Sequence, residues 1–213
     1  MQDRAVITRH SILTAAAELI NERGYGGASI SQITARAGVA AGAVYFHFRS
    51  KEGIARSLLD LDLLEGMSPS PGPALQQWSD LALLLARRID TDPKARAALY
   101  VAALAEGQDG WTSPWPTWRA TVARPLRVAE RQGELQAHVQ PDSVAELTVS
   151  AWAGMAGHRT PGTAEQQMRT FLTFCLPGIA TPAVAARLDL TPRLAPRPDP
   201  GATETAAAPG ATA

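Results

Sequence analysis

The sequence predicts an all-α protein, in which a helix-turn-helix three-helix part at the N-terminus precedes a longer helical part. Two observations support this fold class. Apolar residues recur at spacings of three and four along most of the 213-residue chain, which is the period of an amphipathic helix. Glycine and proline clusters separate these stretches, and no alternating apolar and polar run suggests a strand.

The first predicted helix covers residues 5–23. Its apolar residues fall on one face at helical spacing, namely Ile12, Leu13, Ala16, Leu19 and Ile20. Gly24 is expected to end the helix. Arg9 and His10 lie close to its start, where a cation is unfavourable for the helix itself. They are therefore either phosphate contacts or part of a solvated face.

Two short helices joined by a tight turn are predicted between Ser29 and Phe48. Ser29 and Gln32 have the spacing of a capping box, which marks the start of the first helix. Gly38 tolerates the left-handed conformation that a helix C-cap requires. The second helix begins near Ala40 or Ala41 and runs through Phe48. This arrangement is typical of a helix-turn-helix.

The second helix of this motif is suited to DNA. Its first residues have almost no side chain, so the backbone could approach a groove wall, and free N–H groups there favour an anion. Tyr45 and His47 offer hydrogen bonds to phosphate, and Lys51 offers a positive charge. The predicted DNA-contacting residues are Ser29, Ser31, Ala40, Ala41, Gly42, Tyr45, His47 and Lys51. A helical hairpin without a ligand, or one that docks on a protein, is the alternative.

A fourth helix is predicted from the N-cap Ser50 to about Glu65, followed by a loop with three prolines. Further helices are predicted over residues 74–90, 93–106, 117–132, 141–157, 163–176 and 181–189. The sequence beyond residue 191 is rich in Pro, Ala, Thr and Gly, which predicts disorder. The predicted domains are therefore residues 1–52, residues 53–190 and a disordered tail, 191–213.

The charges are unevenly distributed, although the formal net charge is zero. Residues 1–56 contain seven Lys or Arg and four Asp or Glu, a net charge of +3, and the rest of the chain has −3. The net positive charge of residues 1–56 suits phosphate binding, whereas the net negative charge of the rest of the chain does not. Because the excess is small, we expect affinity to depend on a dimer with two such modules.

Tryptophan positions in the second part suggest a small-molecule site. Trp152 is surrounded by alanine and glycine, which could leave space beside it, and an indole N–H could bind a ligand carbonyl. Packing in the core or at a dimer contact is the alternative for every tryptophan. The predicted ligand-binding residues are Trp118, Trp152, Tyr100, Met155 and Trp115.

Several other classes of protein find no support in the sequence. The four histidines share no metal-ligand spacing with Asp, Glu or Cys, and no catalytic or nucleotide-binding motif is present. We therefore expect no enzyme activity, no catalytic residue, no metal and no cofactor. The single cysteine, Cys175, excludes an internal disulfide. No signal peptide or membrane-length apolar run is visible, so we expect a soluble, cytoplasmic protein without membrane contact.

The N-terminal motifs resemble those of the tetracycline-repressor (TetR) family. The matching segments are Ala15 to Leu19, Arg23-Gly24-Tyr25, Ser29 to Ile33, Ala37-Gly38-Val39, Gly42 to Phe48 and Ser50-Lys51-Glu52. This resemblance implies an all-helical homodimer with an N-terminal DNA-binding domain and a C-terminal ligand-binding and dimerisation domain. It implies a transcriptional repressor that binds palindromic duplex operator DNA and is released when ligand entry changes the spacing of the two recognition helices.

A narrower resemblance concerns the γ-butyrolactone receptors, which regulate antibiotic production and differentiation in filamentous bacteria. It rests on Trp118, on Gln132-Gly133-Glu134-Leu135, on Pro141-Asp142-Ser143 and on residues 176–179 with 188–190. In that group the matching tryptophan is tied to autoregulator binding. Three residues depart from what the resemblance leads us to expect. Ala41 stands where these receptors commonly have lysine, Tyr100 stands where a basic residue is expected, and Trp152 stands where a smaller or non-indole residue is expected. Two kinds of small hydrophobic ligand therefore stay open: a γ-butyrolactone for a true receptor, or an antibiotic, furan or butenolide for a pseudo-receptor.

Overall fold

The computed structural model describes residues 2–64, 72–106, 111–157 and 162–191, and these residues form an all-α fold. Within these ranges the structure contains no strand, only an isolated antiparallel bridge between Leu135 and Ala180. The helices are α1 (Gln2–Gly27), α2 (Ile30–Ala37), α3 (Ala41–Phe48), α4 (Lys51–Leu59), α5 (Ala74–Thr91), α6 (Pro93–Ala105), α7 (Trp115–Arg131), α8 (Pro141–Gly157), α9 (Ala164–Ile179) and α10 (Pro182–Ala185). The predicted fold class is confirmed.

The helix-turn-helix forms as its local sequence predicts. The Ser29 hydroxyl accepts a hydrogen bond from the Gln32 N–H at 3.3 Å, and the Gln32 side chain accepts one from the Ser29 N–H at 3.0 Å. Gly38 ends α2 with a left-handed φ of 66°, a conformation that costs glycine little. Val44 and Phe48 bury their side chains and hold α3 against the rest of this part. The opposite side of α3 remains exposed.

Several helix ends differ from their predicted positions. The helix α4 ends at Leu59 rather than near Glu65. Leu63 follows in an irregular segment, where its side chain is buried and its carbonyl accepts a hydrogen bond from the Arg88 side chain. The helix α9 continues through Pro177 to Ile179 instead of ending at Leu176. The last helix is much shorter than predicted. Apart from Thr191, the predicted disordered tail lies outside the described residues.

A core of small and large apolar residues connects both parts of the chain. The helix α6 is rich in buried alanines and packs against α1, α4, α5 and α8. The predicted boundary at residue 52 falls inside α4, and one continuous hydrophobic cluster extends across it. The helix α6 therefore joins the second part of the chain to α1 and α4 by continuous packing. The division into domains stays a prediction.

Candidate nucleic-acid interface and ligand cavities

The start of α3 presents an open surface. Ala40, Ala41 and Gly42 are all exposed, and no atom lies within 4 Å of the position that a Gly42 side chain would occupy. Ala40 is the N-cap and supplies no side-chain hydrogen bond to the helix. The helix therefore directs backbone N–H groups and its positive dipole end towards solvent. A backbone or phosphate group could approach this end closely.

The polar residues predicted to contact DNA lie around this surface in different environments. Ser29 and Ser31 are exposed, and their hydroxyl oxygens lie 3.0 Å apart. Tyr45 is 55% exposed, whereas His47 and Lys51 are half-buried. The hydroxyl of Ser29 is already used by the capping box. Tyr45 is therefore the most accessible polar side chain of α3 itself.

Lys51 belongs to a cluster around Tyr25. Its ammonium nitrogen lies 4.3 Å from the centre of the Tyr25 ring, a distance suited to a cation–π interaction. Burial and the neighbouring Glu52 carboxylate raise the pKa of Tyr25 to about 12. The pKa of Glu52 is lowered, first by the hydrogen bond to its own backbone N–H and then by the Ser50 side chain. This cluster holds Lys51 beside α3.

Arg9 has a structural role in this part of the protein. Its guanidinium carbon lies 5.1 Å from the centre of the buried Phe48 ring, and one of its nitrogens donates to the Ser57 hydroxyl at 3.1 Å. These contacts connect α1 to both α3 and α4. His10, the other candidate at this end, is exposed.

Phe46 was not among the residues selected from the sequence, although the structure makes it prominent. Its side chain is 80% exposed, more than any other large apolar side chain in the described residues. Its ring packs edge-on against His47, with ring centres 5.0 Å apart and planes at 84°. The signal was available in the sequence, because Phe46 stands two residues from each of the apolar positions 44 and 48.

A cavity of about 570 Å³ lies beside Trp118, between the end of α4 and the first half of α7. Its size is in the usual range for small-molecule sites. Polar and charged groups contribute to its lining, namely Asp60, Asp62, Thr112, Thr117, Thr121 and Arg124. The Trp118 ring is 9% exposed, and its N–H has no acceptor within the described part of the chain.

The other predicted ligand-binding residues do not share this cavity. Trp115 packs edge-on against Trp118, with ring centres 5.2 Å apart, and lines a smaller cavity of about 250 Å³ with Arg119 and Glu146. Tyr100 lines a third cavity, of about 540 Å³, next to Gly24. Met155 is half-buried against the core. The five residues predicted from the sequence are thus dispersed over separate environments.

Trp152 requires a correction. Its small neighbours predicted open space and a free indole N–H, but the side chain is only 1% exposed. The N–H donates to the Ala82 carbonyl of α5 at 3.1 Å. The neighbouring Trp78 is also buried, and its N–H donates to the Thr148 hydroxyl. Both indoles fill the space between α5 and α8, so Trp152 offers no donor to a ligand.

The described ranges offer neither a metal site nor a membrane-spanning helix. No group of three or more His, Cys, Asp or Glu side chains there has an arrangement that could hold a metal ion. None of the helices described is both long and apolar enough to cross a membrane. Cys175 is partly buried, and desolvation raises the pKa of its thiol.

Comparison with known proteins gives consistent matches. The family of bacterial regulatory proteins described as the tetR family matches residues 12–58. The A-factor receptor protein of Streptomyces griseus is 33% identical over 192 residues, which cover 88% of this chain and 69% of that protein. The crystal structure of TylP, a TetR regulator from Streptomyces fradiae, has a TM-score of 0.73 at 32% identity, with 88% of this chain and 93% of that chain covered.

A second solved structure includes DNA. CprB from Streptomyces coelicolor, in complex with its biological operator sequence, has a TM-score of 0.76 at 29% identity. The match covers 86% of this chain and 94% of that chain. The similarity therefore extends well beyond the N-terminal helices.

Proposed function

We propose that this chain, which belongs to the tetR family of bacterial regulatory proteins and is similar to a γ-butyrolactone receptor of known structure, is a ligand-responsive transcriptional repressor. It binds palindromic operator DNA as a homodimer and releases it when a small molecule enters the second part of the chain. The observation that carries this proposal is the open N-terminal face of α3, which backbone and small side chains leave free for a DNA groove.

DNA binding is supported by the arrangement around α3. The helix exposes Ala41, Gly42 and Tyr45 while its opposite side is buried. Lys51, at the start of α4, adds a positive charge next to this face. The proposed contacts are Ser29, Ser31, Ala40, Ala41, Gly42, Tyr45, His47 and Lys51. Phosphate contacts by these groups would set the register of the protein on the duplex.

Dimerisation is supported by apolar side chains that have no cover in the single chain. Leu147 of α8 is 60% exposed and Phe174 of α9 is 79% exposed, and these two helices pack against each other. A two-fold contact would pair this surface with itself. It would also present two copies of α3, which must be about 34–36 Å apart to reach successive major grooves.

The ligand is proposed to bind in the cavity beside Trp118. The free indole N–H can donate to a lactone carbonyl, and the aromatic ring can cover its apolar part. The hydroxyl and charged groups of the lining can bind further polar atoms of the ligand. A γ-butyrolactone-type autoregulator is the leading candidate, and an antibiotic, furan or butenolide signal is the alternative.

A chain of contacts connects this cavity to the DNA-binding face. Residues Thr112, Ser113 and Pro114 line the cavity. The preceding residue, Trp111, packs edge-on against Tyr25 with ring centres 6.0 Å apart, and Tyr25 in turn holds Lys51. A ligand that displaces the 111–114 segment would therefore disturb the support of Lys51. This is the route by which we propose that ligand entry weakens operator binding.

The salt dependence of DNA binding tests the first half of the proposal. A duplex enriched by the protein from a randomised pool is titrated in a fluorescence-anisotropy assay between about 50 and 200 mM salt. Each phosphate contact contributes about one to the log–log slope, so Lys51→Gln should reduce the slope by about two per dimer. Lys94→Gln, near the start of α6, which packs mainly on α1, α4, α5 and α8, is the matched control. No enrichment of any duplex would favour the protein-docking alternative.

Oligomeric state tests the dimer. Phe174→Glu and Leu147→Glu place charges on the exposed apolar surface and should yield monomers in light scattering, with operator affinity reduced at least tenfold. Gln132→Glu, at the exposed end of α7, should remain dimeric. A dimer that persists in both charged variants would place the contact elsewhere.

Release from DNA tests the cavity. Synthetic γ-butyrolactone, butenolide, furan and antibiotic panels are added to the complex of protein and selected duplex. Trp118→Phe removes the N–H donor together with one ring of the indole and should keep DNA binding but weaken release. Trp115→Phe, the same exchange in the neighbouring cavity, should release normally. The reverse result would move the ligand to the cavity of Trp115. The molecule that causes release decides between receptor and pseudo-receptor.

A further inference from the structure

Phe46 occupies the centre of the outward face of α3. Val44 and Phe48 are 0% and 5% exposed and define the buried side. Successive residues of an α-helix are separated by about 100° around the axis. Phe46 therefore points about 180° away from the direction midway between Val44 and Phe48. It therefore points directly away from the buried side of the helix.

The neighbours of Phe46 leave it in a defined position. Tyr45 and His47 lie about 100° to either side of it around the helix, so their polar groups face the flanks of the helix. Gly42, one turn earlier, has no side chain and nothing near it. The His47 ring supports the Phe46 ring edge-on at 5.0 Å. A helix inserted in a major groove would direct its flanks to the phosphate walls and Phe46 to the base edges.

The chemistry of the phenyl ring limits what it can recognise there. It has neither a hydrogen-bond donor nor an acceptor, and Phe46 is 80% exposed to water although the His47 ring packs against its edge. The distinctly apolar group on the base edges of the major groove is the C5-methyl of thymine. We propose that Phe46 is a specificity-determining residue that packs on a thymine methyl in each operator half-site. This proposal rests on the proposed DNA-binding function.

Removal of single methyl groups from the DNA tests this contact. Each thymine of the selected duplex is replaced in turn by deoxyuridine, which lacks only the methyl. Burial of one methyl is worth about a fourfold change in affinity. One thymine in each half-site should therefore show a loss of about fourfold with the wild-type protein, and simultaneous replacement in both half-sites about fifteenfold.

The matched variants distinguish a specific contact from a general loss of binding. Phe46→Ala should bind more weakly and should no longer distinguish thymine from deoxyuridine at that position. Tyr45→Phe should also bind more weakly but keep the full preference for thymine. Because the Phe46 side chain is exposed, we expect Phe46→Ala to fold like the wild type. Circular dichroism of the variant checks this.

Two results would overturn the inference while operator binding stands. In the first, no thymine replacement affects wild-type binding. In the second, Phe46→Ala keeps the same preference for thymine as the wild type. If the wild-type protein enriches no duplex at all, the proposed function fails and this inference fails with it.

Discussion

Glu134 caps a helix that lies 60 residues before it in the chain. One carboxylate oxygen accepts the Ala74 N–H at 3.1 Å and the other accepts the Leu75 N–H at 2.8 Å. The N-cap of α5 is Pro73, which cannot supply a side-chain hydrogen bond. The side chain of Glu134 is only 8% exposed. A remote carboxylate therefore replaces the missing local cap and complements the positive end of the α5 dipole.

The structure allows the cost of removing this side chain to be worked out. Glu134→Ala leaves two backbone N–H groups without an acceptor, and each hydrogen bond to a charged group contributes about 1.5 kcal/mol or more. The expected loss is therefore about 3 kcal/mol, or about 6–12 °C in melting temperature for a chain of this size. Glu134→Gln keeps one acceptor oxygen and should lose about half as much.

Thermal unfolding monitored by circular dichroism measures these differences. The protein concentration is held fixed, because the stability of a dimer depends on it. Glu130→Ala, on the exposed side of α7, is the control and should remain within about 0.5 kcal/mol of the wild type. The capping argument is refuted if Glu134→Ala is as stable as this control, or if Glu134→Gln is no more stable than Glu134→Ala.

Two further predictions concern the DNA-binding part. A Cβ atom on Gly53 would stand 1.8 Å from the Phe48 carbonyl oxygen, so Gly53→Ala should lower the free energy of unfolding in urea by more than about 2 kcal/mol. Gly38→Ala, which is strained by its positive φ but has open space around it, should lower it by about 1 kcal/mol. Equal losses in the two variants would contradict the steric argument. The raised pKa of Tyr25, about 12 against a usual value of about 10, means that its contribution to stability is complete below pH 10 and is lost as the pH rises through 12. Between pH 10 and pH 12 the melting temperature of Tyr25→Phe should therefore fall less than that of the wild type. Parallel curves of melting temperature against pH would refute the shift of the Tyr25 pKa.

The helix-turn-helix was predictable because its determinants are local. Ser29 and Gln32 are three residues apart and cap each other wherever the helix lies, and Gly38 adopts its left-handed conformation without a tertiary partner. The buried positions Val44 and Phe48 follow from helical spacing alone. The charge difference between the two parts of the chain is likewise a property of composition.

The elements that were predicted less well depend on distant partners. The apolar residues after Leu59 continue a helical spacing, yet the chain turns there because Leu63 is held by Arg88 of α5. In the sequence Glu134 stands out only as part of a family resemblance. Its capping role could not be predicted, because it depends on a helix far away in the sequence.

The sequence by itself determined the all-α class, the helix-turn-helix and the family, since each depends on short-range capping, on spacing or on motif identity. Only the tertiary structure decided which tryptophan N–H is used within the protein and which tryptophan lies beside a cavity. Trp118 and Trp152 are both tryptophans on amphipathic helices, but the Ala82 carbonyl lies opposite Trp152, whereas a cavity lies beside Trp118. An indole N–H is free or used according to what another helix places in front of it, and no local pattern encodes that.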